Sequence, residues 1–232
     1  MDNRTLFRPE QKKEHGASRE FGGAGVPPAV FLPIGGALKI RSRRLPHWEV
    51  SEAVYFVTFR LADSLPALAL KNISSRRADI PATAAQMGRL LTSTERRKLD
   101  PLHARKIEKI LDAGAGECFL GNAEVARVVA NALKEFDGAR YRLFAWTVMP
   151  NHVHVLFQGI GKRSLPEILH SWKSYSAKAA NQILARRGEF WQREYYDHLV
   201  RDKAEFDRAI RYIAENPTKA GLREWPWVWC WK

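Results

Sequence analysis

Residues 147–157 read TVMPNHVHVLF, and the interpretation of the whole chain starts from this stretch. The β-branched and apolar residues that follow the break at Pro150 predict a β-strand. Because side chains alternate across a strand, His152, His154 and Leu156 are expected on one face. The other face then carries Val153, Val155 and Phe157. Two imidazoles about 6.6 Å apart along one face of a strand can converge on a single metal ion.

A bare His-x-His pattern has a second interpretation. Both histidines can equally be packed in a core or on a surface without binding anything. The rest of the sequence has to distinguish a metal site from simple packing.

The charge of the chain is more informative than its length. The 232 residues include 45% hydrophobic ones, enough to bury the core of one domain or of two small ones. Lys and Arg number 38 against 25 Asp and Glu, which gives a net charge of +13 and a pI near 10.0. Such an excess predicts a polyanionic partner, because neutralising phosphates releases counterions. The alternative is a basic tail that binds nothing in particular.

The spacing of the cysteines and the lack of long apolar runs indicate the cellular compartment of the protein. Cys118 and Cys230 show no metal-binding spacing and no disulfide framework, which fits a reducing environment. The sequence contains no apolar signal core and no run that approaches the roughly 18 apolar residues of a membrane span. We therefore expect a cytoplasmic protein.

Composition also suggests where the folded part begins. Residues 1–40 combine clustered charge with a Gly/Pro-rich stretch and predict a disordered N-terminal extension. Residues 41–232 are expected to form one domain. Within it, the polar and basic span at about residues 63–110 is broken by prolines and predicts a helical insertion.

The order of the remaining patterns predicts the fold class. It runs strand, helix, strand, strand, helix, strand, which indicates an α+β, ferredoxin-like βαββαβ fold. We expect a four-stranded antiparallel sheet with two helices on one face, and a further C-terminal helix. The strands are predicted at residues 53–61, 141–148, 152–157 and within 190–200. The two intervening helices are predicted to start at the caps Asn122 and Ser164, and to end at Asp137-Gly138 and near residues 186–188.

The C-terminal helix carries the second half of the candidate site. It is predicted to begin at Asp202 and to end at Asn216, because a residue before proline resists the α region. Its buried stripe is Phe206, Ala209, Ile210 and Ile213. With about 100° per residue, Tyr212 lies roughly 110° and Asn216 about 70° from the centre of that stripe, on the same side. A phenol and an amide oxygen would thus face the same object.

The object that Tyr212 and Asn216 face could be a metal ion held by His152 and His154. The ligands would then be two nitrogens and one oxygen, with the phenol of Tyr212 alongside. A divalent ion with open positions polarises a phosphodiester oxygen while a tyrosine hydroxyl attacks phosphorus. Mixed imidazole and oxygen ligands favour Mg²⁺ or Mn²⁺ over a structural zinc. The sequence offers no dedicated general base.

Three linked motifs resemble a known family. HVH within VMPNHVHVL, FWQREYYDH and YIAENPTKAGL are similar, in this order, to the REP-associated tyrosine transposases, relatives of the single-tyrosine HUH transposases. The likeness covers roughly residues 43–229. It implies that residues 41–232 form an HUH nuclease that nicks single-stranded DNA beside a hairpin repeat and keeps a 5′-phosphotyrosine with a free 3′-OH.

The resemblance also implies residue roles. By position, His152 and His154 match the HUH metal ligands, Tyr212 the nucleophile, and Asn216 the third ligand one turn later. Some relatives have Gln at that last position, and relatives differ in whether they dimerise. Both a monomer and a homodimer therefore stay open.

Basic residues around the site are candidates for holding the DNA backbone. For each one singly, a solvated surface is the competing interpretation. The candidates are Arg43, Arg44, Arg163, Lys173, Lys178, Arg186, Arg187 and Lys219.

Other aromatic residues compete for a role. Tyr175 is the main rival nucleophile, but Ala179 stands where a metal ligand would follow one turn later. The alternating tryptophans at positions 225, 227, 229 and 231 are either a stacking platform for unpaired bases or a terminal strand packed on the domain, and we favour the strand.

Three functions remain open from the sequence. The leading hypothesis is a metal-dependent DNA strand-transferase acting on hairpin-forming repeats. The alternatives are a catalytically silent protein that binds the same repeats, and a phosphodiesterase that uses water instead of tyrosine.

Overall fold

The computed structural model describes residues 39–42, 46–49, 52–65, 110–111 and 113–231. The predicted disordered extension lies outside these residues except for Lys39 and Ile40. Most of the predicted helical insertion, residues 66–109, also lies outside them. The fold below is therefore that of the predicted domain without this insertion.

The described part alternates strands and helices in the predicted order. A short 3₁₀ helix, Phe119–Gly121, precedes the first α-helix. The strands are β1 (Lys39–Ser42), β2 (Pro46–Glu49), β3 (Val54–Arg60), β4 (Tyr141–Val148), β5 (His152–Gly159), β6 (Tyr196–Leu199) and β7 (Val228–Cys230). The helices are α1 (Ala123–Lys134), α2 (Leu165–Ile183) and α3 (Lys203–Lys219).

One antiparallel sheet organises the domain. Its strand order is β6-β3-β5-β4-β7, and the strand that carries the histidines lies at its centre. Strands β1 and β2 form a separate antiparallel pair. The predicted α+β fold with the βαββαβ order is confirmed, but the sheet has five strands rather than four.

The fifth strand comes from the tryptophan-rich C-terminus. Strand β7 pairs with the edge of β4, and Trp229 lies opposite Trp146. The alternating tryptophans favoured a terminal strand, but alternation within a segment does not show which strand it pairs with, so β7 was not counted in the predicted sheet. The favoured interpretation of the tail as a strand holds only for Val228–Cys230, which includes one of the four tryptophans, and that residue, Trp229, is 39% exposed.

The two faces of the sheet have different contents. Helices α1 and α2 pack on one face, over a core rich in aromatic rings that includes Phe59, Phe157 and Trp172. Helix α3 packs on the other face through Phe206 and Ile213. The histidines of β5 point toward α3, as the alternation of the strand predicts. The sheet thus separates the larger core from the candidate site.

Local capping explains where the helices begin. Asn122 accepts hydrogen bonds from Glu124 N and Val125 N at the start of α1, and Asp202 accepts one from Glu205 N at the start of α3. The N–H of Ser164 donates to the Glu167 carboxylate at 2.8 Å at the start of α2. Among the described residues, no helix combines the length and the apolar character needed to cross a bilayer.

The predicted end of α3 at Asn216 is wrong. The helix continues through Pro217 to Lys219. A proline forfeits only one helical hydrogen bond, and here it lies in the last turn. The backbone N–H of Ala220 donates to Asn216 O, and that of Leu222 donates to Pro217 O, so the turn closes normally. Asn216 consequently lies within the helix rather than at its end.

A buried hydrogen-bond chain offers a test of this core. The Tyr141 hydroxyl donates to Leu133 O and accepts from Nε1 of Trp172, both at 2.8 Å. We expect Tyr141→Phe to lower the free energy of unfolding by about 1–3 kcal/mol, because the buried indole N–H loses its acceptor. Urea denaturation measures this change. The exposed Tyr175→Phe is the control, and equal stability of the two variants would contradict the assignment.

Candidate active site

The two histidines of β5 face each other inside the protein. His152 is 1% exposed and His154 is fully buried at 0%. Their Nε2 atoms are 3.0 Å apart, and their ring planes are steeply inclined to each other at 77°. The strand therefore brings both nitrogens to one point, as a shared ligand would require.

The outer nitrogen of each ring has its own polar partner. Nδ1 of His154 lies 2.7 Å from Oγ1 of Thr58, which is the residue opposite it on β3. Nδ1 of His152 lies 2.7 Å from Oδ1 of Asn151. Since both outer nitrogens are engaged, the rings are held with their Nε2 atoms inward. Thr58 and Asn151 were not among the predicted site residues.

Helix α3 brings the predicted nucleophile to this pair. The Tyr212 hydroxyl lies 3.4 Å from Nε2 of His154. Phe56 supports both rings, since it stacks on His154 with centroids 5.5 Å apart and meets Tyr212 edge-on at 5.7 Å. The Tyr212 side chain is half-buried.

Asn216 follows one helical turn after Tyr212. Its side chain is 2% exposed, and its Oδ1 accepts no hydrogen bond from any described residue. Leaving a buried polar atom unsatisfied costs about 1–3 kcal/mol, so such an atom needs an explanation. A cation provides one, because an amide oxygen is a suitable ligand for Mg²⁺ or Mn²⁺.

These donors fit a divalent metal. The two facing Nε2 atoms are candidate nitrogen ligands and the unpaired Asn216 Oδ1 is a candidate oxygen ligand, while the Tyr212 hydroxyl lies 3.4 Å from Nε2 of His154. No cluster of three or more His, Cys, Asp or Glu side chains suited to a metal occurs within the described ranges. The third candidate ligand is the amide oxygen of Asn216, as the sequence predicts.

Electrostatics keeps the histidines neutral. Burial lowers the pKa of His152 to about 3, and the nearby positive charge of Arg60 adds to this effect. Burial also lowers the pKa of His154 well below its usual value, and His152 contributes. Neutral imidazole is the form that binds metals. Both rings are therefore in the ligating form at neutral pH.

Arg60 is a site neighbour that sequence reasoning missed. It ends β3 and lies directly opposite His152, so its side chain leaves the sheet on the histidine face. Burial lowers its pKa to about 10, and the carboxylate of Glu194 partly opposes that shift. Arg60 remains charged at neutral pH. The alternation of Thr58 and Arg60 with apolar residues on β3 was the available signal.

The predicted DNA-binding residues lie in several places. Arg43 and Arg44 are outside the described residues. Arg163, in the loop before α2, is exposed, as are Lys178 and Arg187. Helix α2, which carries Lys173 and Lys178, packs on the sheet face opposite the histidines.

Three of these basic side chains make contacts within the chain. Nζ of Lys173 donates to the carbonyls of Gln192 and Arg193 at 2.8 and 2.9 Å, and burial lowers its pKa to about 8. The Arg186 guanidinium lies 4.6 Å from the ring centroid of Phe119. Lys219 pairs with Glu215 at 2.7 Å, one turn earlier on α3.

The rival tyrosine is not near the histidines in this chain. Tyr175 is 61% exposed and belongs to α2, on the other side of the sheet. The tryptophan-rich C-terminal tail is held to β4 by hydrogen bonds that each join a side chain to a backbone carbonyl. Nε1 of Trp225 donates to Val148 O at 2.7 Å, and the Thr147 hydroxyl donates to Trp227 O at 3.2 Å.

Comparison with known proteins confirms the resemblance read from the motifs. Residues 121–216 match the family described as "Transposase IS200 like". The REP-associated tyrosine transposase of Escherichia coli K12 is 26% identical over 92 residues, which are 37% of this chain and 52% of that protein. A Haemophilus influenzae protein named after the same transposases is 26% identical over 110 residues, 38% of this chain and 57% of its own.

These matches and one solved structure cover different shares of the chain. The chain spans about half the length of the curated relatives it matches. The solved structure of a REP-associated tyrosine transposase bound to a REP hairpin aligns with a TM-score of 0.45 and 15% identity, over 81% of both chains.

The neutral histidines predict acid sensitivity of the metal-free fold. Their pKa values are lowered on folding, so the unfolded chain binds more protons once the pH drops below about 6.5. When the pH is lowered from 7.5 to 5.5, we expect the free energy of unfolding to fall by about 1.4 kcal/mol for each of the two histidines. Urea denaturation in EDTA measures the loss.

Two substitutions test whether His152 and His154 cause this loss of stability at low pH. His152→Gln should remove about half of it, whereas His170→Gln, at an exposed position of α2, should leave it unchanged. An unchanged pH dependence in His152→Gln would show that His152 is not held neutral by the fold.

Proposed function

We propose that this chain is a metal-dependent single-stranded DNA strand-transferase, a transposase that cuts DNA through a 5′-phosphotyrosine. The single observation that carries the proposal is the position of the Tyr212 hydroxyl, 3.4 Å from Nε2 of a buried histidine pair. The match of residues 121–216 to the IS200-like transposases and the names of the relatives agree with it.

In this proposal His152, His154 and Asn216 hold Mg²⁺ or Mn²⁺. When bound, such an ion polarises a phosphodiester oxygen and offsets the charge that builds on it. The chain prepares the site by burying both imidazoles in their neutral form and by leaving the Asn216 oxygen unpaired. Arg60 adds a fixed positive charge on the same sheet face, where a phosphate would lie.

Tyr212 is the proposed nucleophile. Its oxygen attacks phosphorus, the bond from phosphorus to the 3′-oxygen breaks, and the DNA 5′-phosphate becomes attached to the phenol. The phenol proton passes to water, and the departing oxygen gains a proton to become a free 3′-OH. The phosphotyrosine keeps the energy of the broken bond, so a second 3′-OH can reverse the step and join another strand.

The proposed substrate is single-stranded DNA with a hairpin repeat of the REP type. The net charge of +13 supports a polyanion, and the E. coli relative is named for its association with REP elements. Exposed Arg163, Lys178 and Arg187 remain candidates for backbone contacts. We place this activity in the cytoplasm of a prokaryote, at the nucleoid.

Covalent capture tests the proposed function. We expect the wild-type chain, incubated with Mn²⁺ and a labelled single-stranded hairpin, to form an adduct that survives denaturing electrophoresis. Tyr212→Phe should form none, a loss of at least about a thousandfold, because the phenyl ring has no nucleophilic oxygen. Tyr175→Phe should form as much adduct as wild type.

The other outcomes identify the competing functions. Hairpin binding without any adduct in wild type would indicate a silent DNA-binding protein. Cleavage that persists in Tyr212→Phe and leaves no protein-linked DNA would indicate a phosphodiesterase that uses water.

Metal binding can be tested without DNA. We expect Asn216→Ala to weaken Mn²⁺ binding by at least about tenfold, because the site loses its oxygen ligand. Titration followed by electron paramagnetic resonance measures the free Mn²⁺. His170→Ala, at an exposed position, is the control, and wild-type affinity in Asn216→Ala would remove that residue from the ligand set.

A further inference from the structure

Asn151 has an amide whose orientation is fixed by its surroundings. It is 1% exposed, and its Nδ2 donates to Leu111 O at 3.0 Å and to Ala115 O at 2.9 Å. An amide nitrogen has two hydrogens, and both are used here. Its oxygen must therefore be the atom that faces His152 Nδ1 at 2.7 Å.

The fixed amide determines the tautomer of His152. A carbonyl oxygen only accepts hydrogen bonds, so Nδ1 of His152 must carry the proton. The lone pair of the neutral ring then lies on Nε2. This nitrogen is the one that faces His154, 3.0 Å away, and it is therefore ready to bind a cation.

The tautomer of His154 depends on what lies between the rings. Two lone pairs 3.0 Å apart repel each other, so without a cation Nε2 of His154 carries a proton and donates it to Nε2 of His152. Nδ1 of His154 then accepts a hydrogen bond from the Thr58 hydroxyl. When a cation takes both Nε2 atoms, the His154 proton has to be on Nδ1, and Thr58 has to accept.

The Thr58 hydroxyl can donate in one state and accept in the other, because a hydroxyl carries one donor hydrogen and two acceptor lone pairs. Thr58 needs only to rotate its hydrogen between the two states, while its oxygen stays 2.7 Å from the ring. Its place opposite His154 in the strand pairing keeps that oxygen in position. The imidazole stays neutral throughout, so no proton is gained or lost.

We propose that Asn151 and Thr58 are positioning residues of the metal site. Asn151 holds His152 in the Nδ1–H form, and Thr58 lets His154 change from the Nε2–H to the Nδ1–H form when metal binds. Asn151 also ties the segment at Leu111 and Ala115 to a metal ligand, and its own backbone oxygen accepts from Leu61 N at 2.9 Å. The proposal rests on the metal site of the proposed function.

Nuclear magnetic resonance of the full chain tests the tautomers directly. Long-range correlations between ring protons and ring nitrogens, recorded at fixed neutral pH, distinguish a protonated from an unprotonated nitrogen. In EDTA we expect the proton on Nδ1 of His152 and on Nε2 of His154. Added Zn²⁺, a diamagnetic probe, should move the His154 proton to Nδ1 and leave His152 unchanged.

Either of two results would overturn the proposal. One is a metal-free His152 with its proton on Nε2. The other is a His154 that keeps its Nε2 proton when Zn²⁺ has saturated the site. Both measurements use the unaltered chain, so they do not depend on the folding of a variant.

Variants of Thr58 supply a second test. Thr58→Val keeps the shape of the side chain but removes the hydroxyl, and we expect Zn²⁺ to bind about 10–100-fold more weakly. Thr58→Ser restores the hydroxyl and should bring affinity back to within about threefold of wild type. Calorimetric titration measures both, and wild-type affinity in Thr58→Val would contradict the role of Thr58.

These results are separable from the proposed function. The expected tautomers and Zn²⁺ affinities, found together with an absence of covalent adduct on hairpin DNA, would leave the positioning roles standing and refute the strand-transferase. An adduct formed by a chain whose His152 carries its proton on Nε2 would support the strand-transferase and refute the positioning role of Asn151.

Discussion

The candidate site depends on the register between β3 and β5. Strand β5 alone brings His152 and His154 to one face, but β3 supplies Thr58 opposite the second histidine and Arg60 opposite the first. A slip of one residue would move both β3 side chains to the other face of the sheet. There they would meet the aromatic core around Phe59, so His154 would lose the Thr58 hydroxyl and His152 would lose its neighbour Arg60. The register is therefore as important to the chemistry as the histidines themselves.

Much of the fold could be predicted because it rests on local patterns. The alternation around His152 and the caps at Asn122 and Asp202 gave the strand, the helix starts and the βαββαβ order. Strand β7 was only partly predicted: the alternating tryptophans favoured a terminal strand, but they gave no sign that it would pair with β4 and extend the sheet. The end of α3 was also missed. Pro217 argued for a stop, but a proline in a last turn costs one hydrogen bond that the helix can spare.

The same distinction between local patterns and distant contacts applies to the residues of the site. The two histidines, Tyr212 and Asn216 could be proposed from spacing within one strand and one helix. The roles of Thr58 and Asn151 could not. Thr58 contacts His154 from another strand, and Asn151 is adjacent to His152 but has its amide oriented by a distant segment. Thr58 lies 96 residues from His154, and Asn151 reaches back to the segment near Leu111. Periodicity within a segment carries no information about the partner of that segment.

The two faces of the sheet account for how the fold tolerates such a site. Burying two imidazoles and an amide oxygen without a ligand lowers the stability of the fold, and the unpaired oxygen of Asn216 alone costs about 1–3 kcal/mol. On the opposite face, Tyr141, Trp172 and their neighbours form a closely packed aromatic core with its polar atoms paired. That core stabilises the strands independently of the site. The histidine face is thereby free to keep polar groups oriented for a ligand, which is how a preorganised site is supported by a rigid scaffold.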